Sequence, residues 1–302
     1  MSRSGFVSFI GRPNAGKSTL VNRLVGTKVA IVSDKPQTTR NRILAVKNRP
    51  DGQIVFLDTP GIHRPLHRMN VRMVEAALDT LREVDLLVLV KDASEKVGQG
   101  DKFVLDVVRK ARTPVLLALN KIDLVAKPAL LPLMASYGAE HAFAEIVPVS
   151  AATGDGVDRL EGLIAQRLPE GEPLYPADYL TDQPERVMAA EIVREKLLQH
   201  TGDELPFTTA VIIDQFQEPE SPGGLLRLYA SILVERSSQK PIVIGRAGAM
   251  IKRIGTEARM DLERLFATKV FLDLHVKVKE DWREDERLLD ELGVPQRRRR
   301  ER

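Results

Sequence analysis

Eight residues near the start of the chain have the composition of a phosphate-binding loop. Residues 11–18 read Gly-Arg-Pro-Asn-Ala-Gly-Lys-Ser and match the pattern Gly-x-x-x-x-Gly-Lys-Ser/Thr. Glycines let backbone amides curve around phosphate oxygens, and a following helix adds its positive N-terminal end. Lys17 supplies a charge to the terminal phosphates, and Ser18 offers a hydroxyl to Mg²⁺. We therefore expect nucleotide contacts from Gly11, Arg12, Pro13, Asn14, Ala15, Gly16, Lys17, Ser18 and Thr19.

A second motif follows about 40 residues later, after a short apolar run, and reads Asp58-Thr59-Pro60-Gly61. An acid at the end of a strand is placed to hold Mg²⁺ through a water molecule. The Gly61 amide can approach a γ-phosphate because no side chain obstructs it. The tetrapeptide alone could equally form a simple turn. Its position after the phosphate-loop motif is what supports the prediction that all four residues bind the nucleotide.

Two further motifs could recognise a base. In Asn120-Lys121-Ile122-Asp123, the Asp123 carboxylate can accept hydrogen bonds from N1–H and the 2-amino group of guanine. Adenine lacks this donor pair, so the carboxylate selects guanine. In Ser150-Ala151-Ala152, the Ala151 amide could bond guanine O6. We expect Asn120, Lys121, Asp123, Ser150 and Ala151 to contact GTP, with a helix-capping role for Asp123 as the alternative.

The pattern of apolar residues places each motif at the end of a strand. Strands are predicted at 5–10, 54–57, 86–90, 115–119 and 146–149, and helices at 17–25, 71–81, 102–110 and 158–167. Apolar strands that alternate with helices indicate a mostly parallel α/β sheet with helices on both faces. Ligands bind such sheets at the carboxyl ends of the strands, where these motifs lie.

The second half of the chain has a different pattern. Four prolines within 169–184 indicate a linker. A helix is predicted at 185–200, strands at 208–213, 225–235 and 270–278, and a second helix at 249–266, whereas 239–244 is ambiguous. Alternation predicts one buried face on the last two strands. Its residues are Leu226, Leu228, Ala230, Ile232, Val234, Val270, Leu272, Leu274, Val276 and Val278.

The four nucleotide motifs resemble those of the translation-factor-like GTPases, over residues 5–168. In that family a threonine before Asp-Thr-Pro-Gly binds Mg²⁺, and the candidates here are Thr38 and Thr39 in Lys-Pro-Gln-Thr-Thr-Arg, residues 35–40. Thr39 is preferred, because the related branch carries Thr-Arg at this point. The resemblance implies a magnesium site of Ser18, Thr39 and Asp58, and rearrangement of segments 33–40 and 61–70 with the γ-phosphate.

One departure from the family concerns catalysis. Many GTPases carry a glutamine after Asp-Thr-Pro-Gly that orients the attacking water, but residue 62 is isoleucine. In GTPases with Pro-Asn in the phosphate loop, as at Pro13-Asn14, the asparagine is linked to a K⁺ ion near the β- and γ-phosphates. The resemblance thus implies slow hydrolysis stimulated by K⁺, with Lys17, Asn14, Thr39 and Gly61 as the catalytic residues, and the alternative is that Asn14 only shapes the phosphate loop.

The order of elements in the second half is that of a type II KH domain. Gly245-Arg246-Ala247-Gly248 is the only Gly-x-x-Gly of the chain, and it precedes a predicted helix with Lys252, Arg253, Arg259 and Arg264. Such a loop lets the backbone approach the phosphates of single-stranded RNA. We expect RNA contacts from Gly245, Arg246, Ala247, Gly248, Lys252 and Arg253, with a helix–turn–helix that has a solvated basic face as the alternative.

A GTPase domain followed by a KH domain is similar to the Era family of ribosome-associated GTPases. The sequence predicts an α/β P-loop GTPase domain at 1–170, a linker at 171–184, a smaller α+β type II KH domain at 185–283 and a charged C-terminal tail at 284–302. The resemblance implies a monomer that binds GTP, GDP, Mg²⁺ and the 3′ end of 16S rRNA and assists 30S subunit assembly. It also implies peripheral association with the inner face of the membrane.

Composition narrows the remaining classes. Hydrophobic residues make up 43% and charged residues 29%, which allows a core and excludes wholesale disorder. Cysteine is absent, which excludes disulfides and thiolate chemistry and favours the cytoplasm. The net charge is only +3, but the last six residues read Arg-Arg-Arg-Arg-Glu-Arg. One rival function is a membrane-associated signalling GTPase in which this tail contacts the lipid. A metabolic kinase with the same phosphate loop is a weaker rival.

Overall fold

The structure is a computed structural model that describes residues 2–35, 38–61, 68–202, 205–221 and 223–294. Several features singled out in the sequence lie outside these ranges: Pro36, Gln37, Ile62 and the arginine tail at 297–302. Within the described ranges, no helix is both long enough and apolar enough to cross a membrane.

The first domain is built on one six-stranded sheet. Its strands are β1 (Arg3–Gly11), β2 (Ile43–Arg49), β3 (Gly52–Asp58), β4 (Leu86–Asp92), β5 (Val115–Asn120) and β6 (Glu145–Pro148). They lie in the order β2-β3-β1-β4-β5-β6, and all neighbours are parallel except β2 and β3. Every residue of β4 and β5 is buried, as expected for central strands of a covered parallel sheet. The predicted α/β class is therefore confirmed.

Helices cover both faces of this sheet. One face packs against α1 (Lys17–Val25) and α5 (Val157–Arg167), which bury Leu20, Leu24 and Ile164. The other face packs against α2 (Arg68–Thr80), α3 (Gln99–Arg109) and α4 (Lys127–Glu140). The parallel strands consequently present their carboxyl ends, and the loops that follow them, at one edge between the two helical layers.

Two elements of this domain were absent from the predicted pattern. Strand β2 has only a short buried run, because its last three residues are polar and partly exposed. Helix α4 carries Pro128 at its start and Pro132 inside it, and its apolar residues do not form a single stripe. Prolines normally indicate a loop, whereas here Pro128 sits in the first turn, where no intrahelical donor is lost.

The segment predicted as a linker lies along the free edge of β2. The Val46 amide donates to the Leu180 carbonyl at 2.8 Å, and the Thr181 hydroxyl donates to the Leu44 carbonyl at 2.7 Å. Farther along, the Gln53 side-chain oxygen accepts from the amides of Leu174 and Tyr175. These contacts satisfy backbone groups that an uncovered edge strand would expose. The prolines limit regular strand pairing in this segment, but the segment is still bound to the edge of the sheet.

The second domain has a three-stranded sheet covered on one face by helices. Its elements are α6 (Glu185–His200), α7 (Leu205–Thr208), β7 (Thr209–Gln217), β8 (Leu225–Val234), α8 (Lys240–Ile244), α9 (Ala249–Phe266) and β9 (Lys269–Val278). β8 is antiparallel to β7 and parallel to β9. The predicted inward residues of β8 are buried against α6 and α9, but Val278 at the end of β9 is 40% exposed.

The charged tail predicted at 284–302 is wrong for its first part. Asp285 caps α10 (Glu286–Glu291) by accepting from the amides of Arg287 and Leu288. Leu289 is fully buried and packs with Met69 and Met73 of α2 and with Ala210 and Leu233 on the second face of the KH-like sheet. Apolar residues spaced between the charges therefore dock this segment between the two domains. In the sequence, the Leu-Leu pair at 288–289 is the feature from which this contact could have been predicted.

Candidate functional site

The loop between β1 and α1 has the conformation of a phosphate cradle. Gly16 precedes α1 with φ 90°, and the helix has no side-chain cap. A Cβ atom at Gly16 would collide with Asn120 Nδ2. The positive φ and this close contact both require glycine at the position. The uncapped amides of the first turn of α1 are donors for an anion at its positive end.

Lys17 lies buried beneath this loop. Its Nζ donates to the backbone carbonyl of Arg12 at 3.1 Å, and it lies 3.5 Å from the carbonyl of Gly11. Burial lowers the pKa of Lys17, and the negative charge of Asp58 opposes that shift. An ammonium held in this way costs free energy until it meets an anion, which favours a bound phosphate.

The three predicted magnesium ligands lie in contact with one another. Ser18 Oγ donates to Asp58 Oδ2 at 2.6 Å and lies 2.7 Å from Thr39 Oγ1, which is 3.5 Å from the same carboxylate oxygen. All three side chains are buried, and Asp58 Oδ1 is a buried acceptor without a hydrogen-bond partner among the described residues. Thr38 Oγ1 instead donates to the Lys35 carbonyl at 2.6 Å.

This set of oxygen donors fits Mg²⁺, which binds carboxylate and hydroxyl oxygens and keeps several waters. Burial raises the pKa of Asp58, and the charge of Lys17 and the hydroxyls of Ser18 and Thr39 oppose that rise. A divalent cation would relieve this cost, because its charge offsets that of the buried carboxylate and a water bound to it can donate to the orphaned oxygen. The arrangement favours Thr39 over Thr38 as the third ligand.

Asn14 and Gly61 face the same cavity from two loops. The Asn14 side-chain amide donates to the carbonyl of Asp34, in the segment that leads to Thr39, and Asn14 itself has φ 63°. Gly61 lies against the phosphate loop so closely that a Cβ there would be 2.7 Å from the Pro13 nitrogen. Thr59 holds this approach in place, since its hydroxyl donates to the Phe9 carbonyl at 2.7 Å.

The predicted base-binding residues are linked by their own hydrogen bonds. Ser150 Oγ donates to Asp123 Oδ1 at 2.6 Å, which orients that exposed carboxylate. The Ala151 amide donates to Asn120 Oδ1 at 2.9 Å. Lys121, with φ 64°, pairs with Asp92 Oδ2 at 2.6 Å. Burial opposes ionisation of Asp92, but hydrogen bonds from Lys121 and Ser94 hold its pKa below the usual value.

Sequence reasoning missed two supports of this site. Arg23 on α1 donates from Nε to the Ala151 carbonyl at 3.1 Å and also bonds the Ala152 carbonyl, so it fixes the loop after β6. Asp92 at the end of β4 holds Lys121, as described above. Neither residue belongs to a short motif, and only the sheet order places them here. A cavity of about 430 Å³ joins the phosphate loop to Lys121.

The Gly-x-x-Gly turn of the second domain is formed as predicted and is exposed. Gly245 and Gly248 have φ 74° and 77°, and Ala247 between them has φ 50°. Arg246 and Ala247 are exposed at the tip, and α9 starts directly after the turn. Lys252 and Arg253 are exposed on the first turns of that helix, although Arg253 also pairs with Glu257 at 3.1 Å.

The second domain also holds the segment before Thr39, the predicted magnesium ligand. Glu195 of α6 accepts from the Val32 amide at 2.9 Å and pairs with Lys28 at 2.5 Å. The neighbouring Arg194 donates to the Thr38 carbonyl. Both side chains are almost fully buried. Two consecutive charged residues of α6 therefore hold the two ends of the stretch from Val32 to Thr38.

Comparisons with known proteins agree with this architecture. Residues 6–121 match the family model described as 50S ribosome-binding GTPase, and residues 208–283 match that of the KH domain. The GTPase Era of Geobacter metallireducens is 55% identical over 96% of this chain and 97% of its own length. That of Geotalea uraniireducens is 52% identical over the same shares.

Two solved structures share the fold along nearly the whole chain. Era in complex with MgGDPNP and nucleotides 1506–1542 of 16S ribosomal RNA superposes with a TM-score of 0.94 at 41% identity, covering 97% of this chain and 99% of that one. An Aquifex aeolicus Era variant bound to GDP·AlF4⁻ has a TM-score of 0.92, with the same identity and coverage. The chain belongs to the Era family of GTPases.

Proposed function

We propose that this GTPase hydrolyses GTP with Mg²⁺ and uses the reaction to control its binding to the 3′ end of 16S rRNA during 30S subunit assembly. The observation that carries the proposal is the exposed Gly245–Gly248 turn at the start of α9, in a chain whose other domain forms the magnesium cluster of Ser18, Thr39 and Asp58. The Era complex with MgGDPNP and an rRNA segment supports the pairing of these two sites.

In this proposal the phosphate loop holds the triphosphate. Amides of residues 14–18 and the Lys17 ammonium neutralise the β- and γ-phosphates, and the Gly61 amide bonds the γ-phosphate. Ser18 and Thr39 bind Mg²⁺ directly and Asp58 binds it through water. When bound, the ion would stabilise the negative charge that develops on the phosphate oxygens.

Asn14 extends the site with a monovalent ion. Its side chain faces the carbonyl of Asp34, and the carbonyls of Ser33 and Lys35 lie in the same loop, where both interact with the Thr38 hydroxyl. Amide and carbonyl oxygens suit K⁺, which would add positive charge beside the phosphates once the Asn14 side chain turns its oxygen, in place of its nitrogen, toward the ion. This substitutes for an arginine finger.

Selection of guanine rests on Asp123 and Asn120. The Asp123 carboxylate, oriented by Ser150, accepts from N1–H and the 2-amino group, and Asn120 fixes the loop that carries it. Adenine would leave the carboxylate unsatisfied. The Ala151 amide is shared between Asn120 Oδ1 and guanine O6 in this proposal.

The RNA site lies on the second domain. Glycines at 245 and 248 keep the turn free of side chains, so the backbone can approach phosphates, while Arg246, Lys252 and Arg253 supply positive charge around it. Ile242, which is 52% exposed shortly before the turn, offers an apolar surface for unstacked bases.

Binding to RNA tests the proposal directly. The full chain is titrated into a labelled RNA of the sequence 1506–1542 and into a scrambled RNA of equal length, each at two salt concentrations. We expect the matched RNA to bind at least about tenfold more tightly, because base contacts add to the phosphate term. Equal affinities that fall steeply and equally with salt would overturn the rRNA assignment.

A matched pair of variants locates the site. Gly248→Asp places a side chain and a negative charge in the turn, and should abolish the preference for the matched RNA. Gly162→Asp changes a glycine of α5, where an added side chain would meet no atom within 4 Å, and should leave RNA binding unchanged. GTP hydrolysis without RNA should be equal in the Gly248 variant and the wild type, which confirms that the first domain is intact.

A further inference from the structure

Arg40 is buried between the two domains. Only 4% of its surface is exposed, although it belongs to the GTPase domain and follows the magnesium threonine directly. Its guanidinium donates to two backbone carbonyls of the second domain, that of Pro206 at 2.8 Å and that of Thr209 at 2.9 Å. The side chain therefore ends inside the other domain.

The indole ring of Trp282 lines the site that holds the Arg40 guanidinium. The Arg40 guanidinium carbon lies 5.4 Å from the centre of the indole ring, within the range of a cation–π contact. Trp282 is fully buried, and its Nε1 donates to the Thr208 carbonyl at 3.0 Å, so the ring is fixed. Two carbonyls and one ring face thus match the planar guanidinium of Arg40. A lysine ammonium could not make these three contacts equally well.

The residues before Arg40 reach the nucleotide site. Thr39 Oγ1 lies 2.7 Å from Ser18 Oγ, and the Thr38 carbonyl accepts from Arg194. Consecutive Cα atoms are separated by about 3.8 Å across a trans peptide bond, so Thr39 cannot move far while Arg40 stays docked. The same short segment is fixed at one end by the metal cluster and at the other by the second domain.

We propose that Arg40 is a positioning residue for GTP hydrolysis: docking of its guanidinium against Pro206, Thr209 and Trp282 holds Thr39 where its hydroxyl binds Mg²⁺. The inference rests on the proposed role of Thr39 as a magnesium ligand. Arg40 touches neither nucleotide nor metal, and acts only through its neighbour. By thermodynamic reciprocity, a bound Mg²⁺ and γ-phosphate strengthen the docking of Arg40 by the same factor.

Magnesium dependence of nucleotide affinity separates this role from general stability. For Arg40→Ala we expect about tenfold weaker binding of a non-hydrolysable GTP analogue at limiting Mg²⁺, since coupling between sites is commonly of this size. GDP affinity should stay within about twofold, because the γ-phosphate is what orders such segments. Arg40→Lys should change the same affinities in the same direction, but by smaller factors. It provides the test if the alanine variant does not fold.

Two control variants make the result interpretable. Arg283→Ala removes an arginine beside Trp282 that pairs with Glu235 inside the second domain, and it should leave Mg²⁺ dependence unchanged. Thr39→Ala tests the proposed function itself. If Thr39→Ala raises the Mg²⁺ requirement but neither Arg40 variant does, the positioning role is wrong and the ligand role stands. If Thr39→Ala has no effect either, the proposed magnesium site is wrong.

Trp282 provides a second readout, because it is the only tryptophan of the chain. In the wild type its emission should differ between GDP and the GTP analogue with Mg²⁺, since the guanidinium over its ring responds to the nucleotide. The difference should disappear in Arg40→Ala, become smaller in Arg40→Lys, and persist in Arg283→Ala. Identical wild-type spectra in the two nucleotide states would contradict the proposal.

Discussion

The side-chain amide of Asn120 donates to the backbone carbonyl of Ala15 at 2.9 Å and thereby connects the base-binding loop to the phosphate loop. Its carbonyl oxygen accepts from the Ala151 amide at 2.9 Å, which adds the loop after β6. Asn120 is 1% exposed, so these bonds form away from water. One side chain therefore fixes the spacing between the two ends of the nucleotide.

Removal of this side chain should weaken the whole site. Asn120→Ala leaves a buried carbonyl and a buried amide unsatisfied, which costs about 1–3 kcal/mol each. We expect lower thermal stability and a loss of GDP and GTP affinity of more than about tenfold, measured with a fluorescent nucleotide. Arg23→Ala, which frees only carbonyls after β6, is the milder comparison. Nucleotide affinity equal to wild type in the Asn120 variant would show that the loops keep their spacing without it.

Asp123→Asn should change the base rather than the reaction. An amide cannot accept from both guanine donors, so GTP affinity should fall by about 100-fold, the size expected when charged hydrogen bonds are lost. Xanthine presents an oxygen in place of the 2-amino group, and the asparagine amide can donate to it. Competition between GTP, XTP and ATP measures the change. An unaltered preference for GTP would place base selection elsewhere.

Asn14 should make hydrolysis sensitive to the monovalent cation. The wild type should turn over GTP several-fold faster in K⁺ than in Na⁺ at equal ionic strength, because the proposed set of amide and carbonyl oxygens around Asn14 suits the larger ion. Asn14→Ala should remove most of this difference and retain nucleotide binding. Phosphate release is the measurement, with GDP affinity as the control. Equal rates in the two salts would exclude the ion.

Asp261 should give the junction between the domains a pH dependence. It accepts from Lys196 Nζ at 2.6 Å and lies 3.6 Å from Lys28 Nζ of the first domain. Burial opposes its ionisation, but these lysines outweigh burial and hold the pKa of Asp261 below its usual value. A lowered folded-state pKa contributes stability above the unfolded pKa, near 3.9, and this contribution is lost as the pH falls through the folded value.

Asp261→Asn should consequently lower the unfolding free energy at pH 7 by about 1 kcal/mol, and the difference from wild type should narrow below about pH 4. Thermal unfolding between pH 3 and pH 7 follows both proteins. Arg264 also lies near Asp261, at 2.9 Å, so Arg264→Ala serves as an exposed control with a smaller effect. If the difference in unfolding free energy between the variant and the wild type is the same at all pH values, the effect comes from packing and not from ionisation of Asp261.

The nucleotide site could be predicted because its residues lie in short motifs at strand ends. Parallel strands bring their carboxyl ends together whatever the detailed packing, so Lys17, Asp58 and Asn120 were predicted to converge from order alone. The helices at 185–200 and 249–266 were also placed at their observed bounds, because Pro184 and Gly248 mark their beginnings and apolar residues recur along them.

Contacts between the domains could not be predicted in this way. Glu195 and Arg194 look like exposed residues of an amphipathic helix, and their burial follows only from the position of the first domain. In the sequence Arg40 is only one residue of a motif and Trp282 belongs to none, yet their contact joins the two domains. Local patterns report on single elements, whereas such pairs depend on how two folded units meet.

The most direct test of the account is the affinity for RNA in different nucleotide states. The wild-type chain is titrated into the 1506–1542 RNA with a GTP analogue and Mg²⁺, with GDP and Mg²⁺, and without nucleotide, at one salt concentration. The account predicts the tightest binding with the GTP analogue, and loss of that advantage in Thr39→Ala. Equal affinity in all three states would contradict a switch in which the nucleotide controls the RNA site.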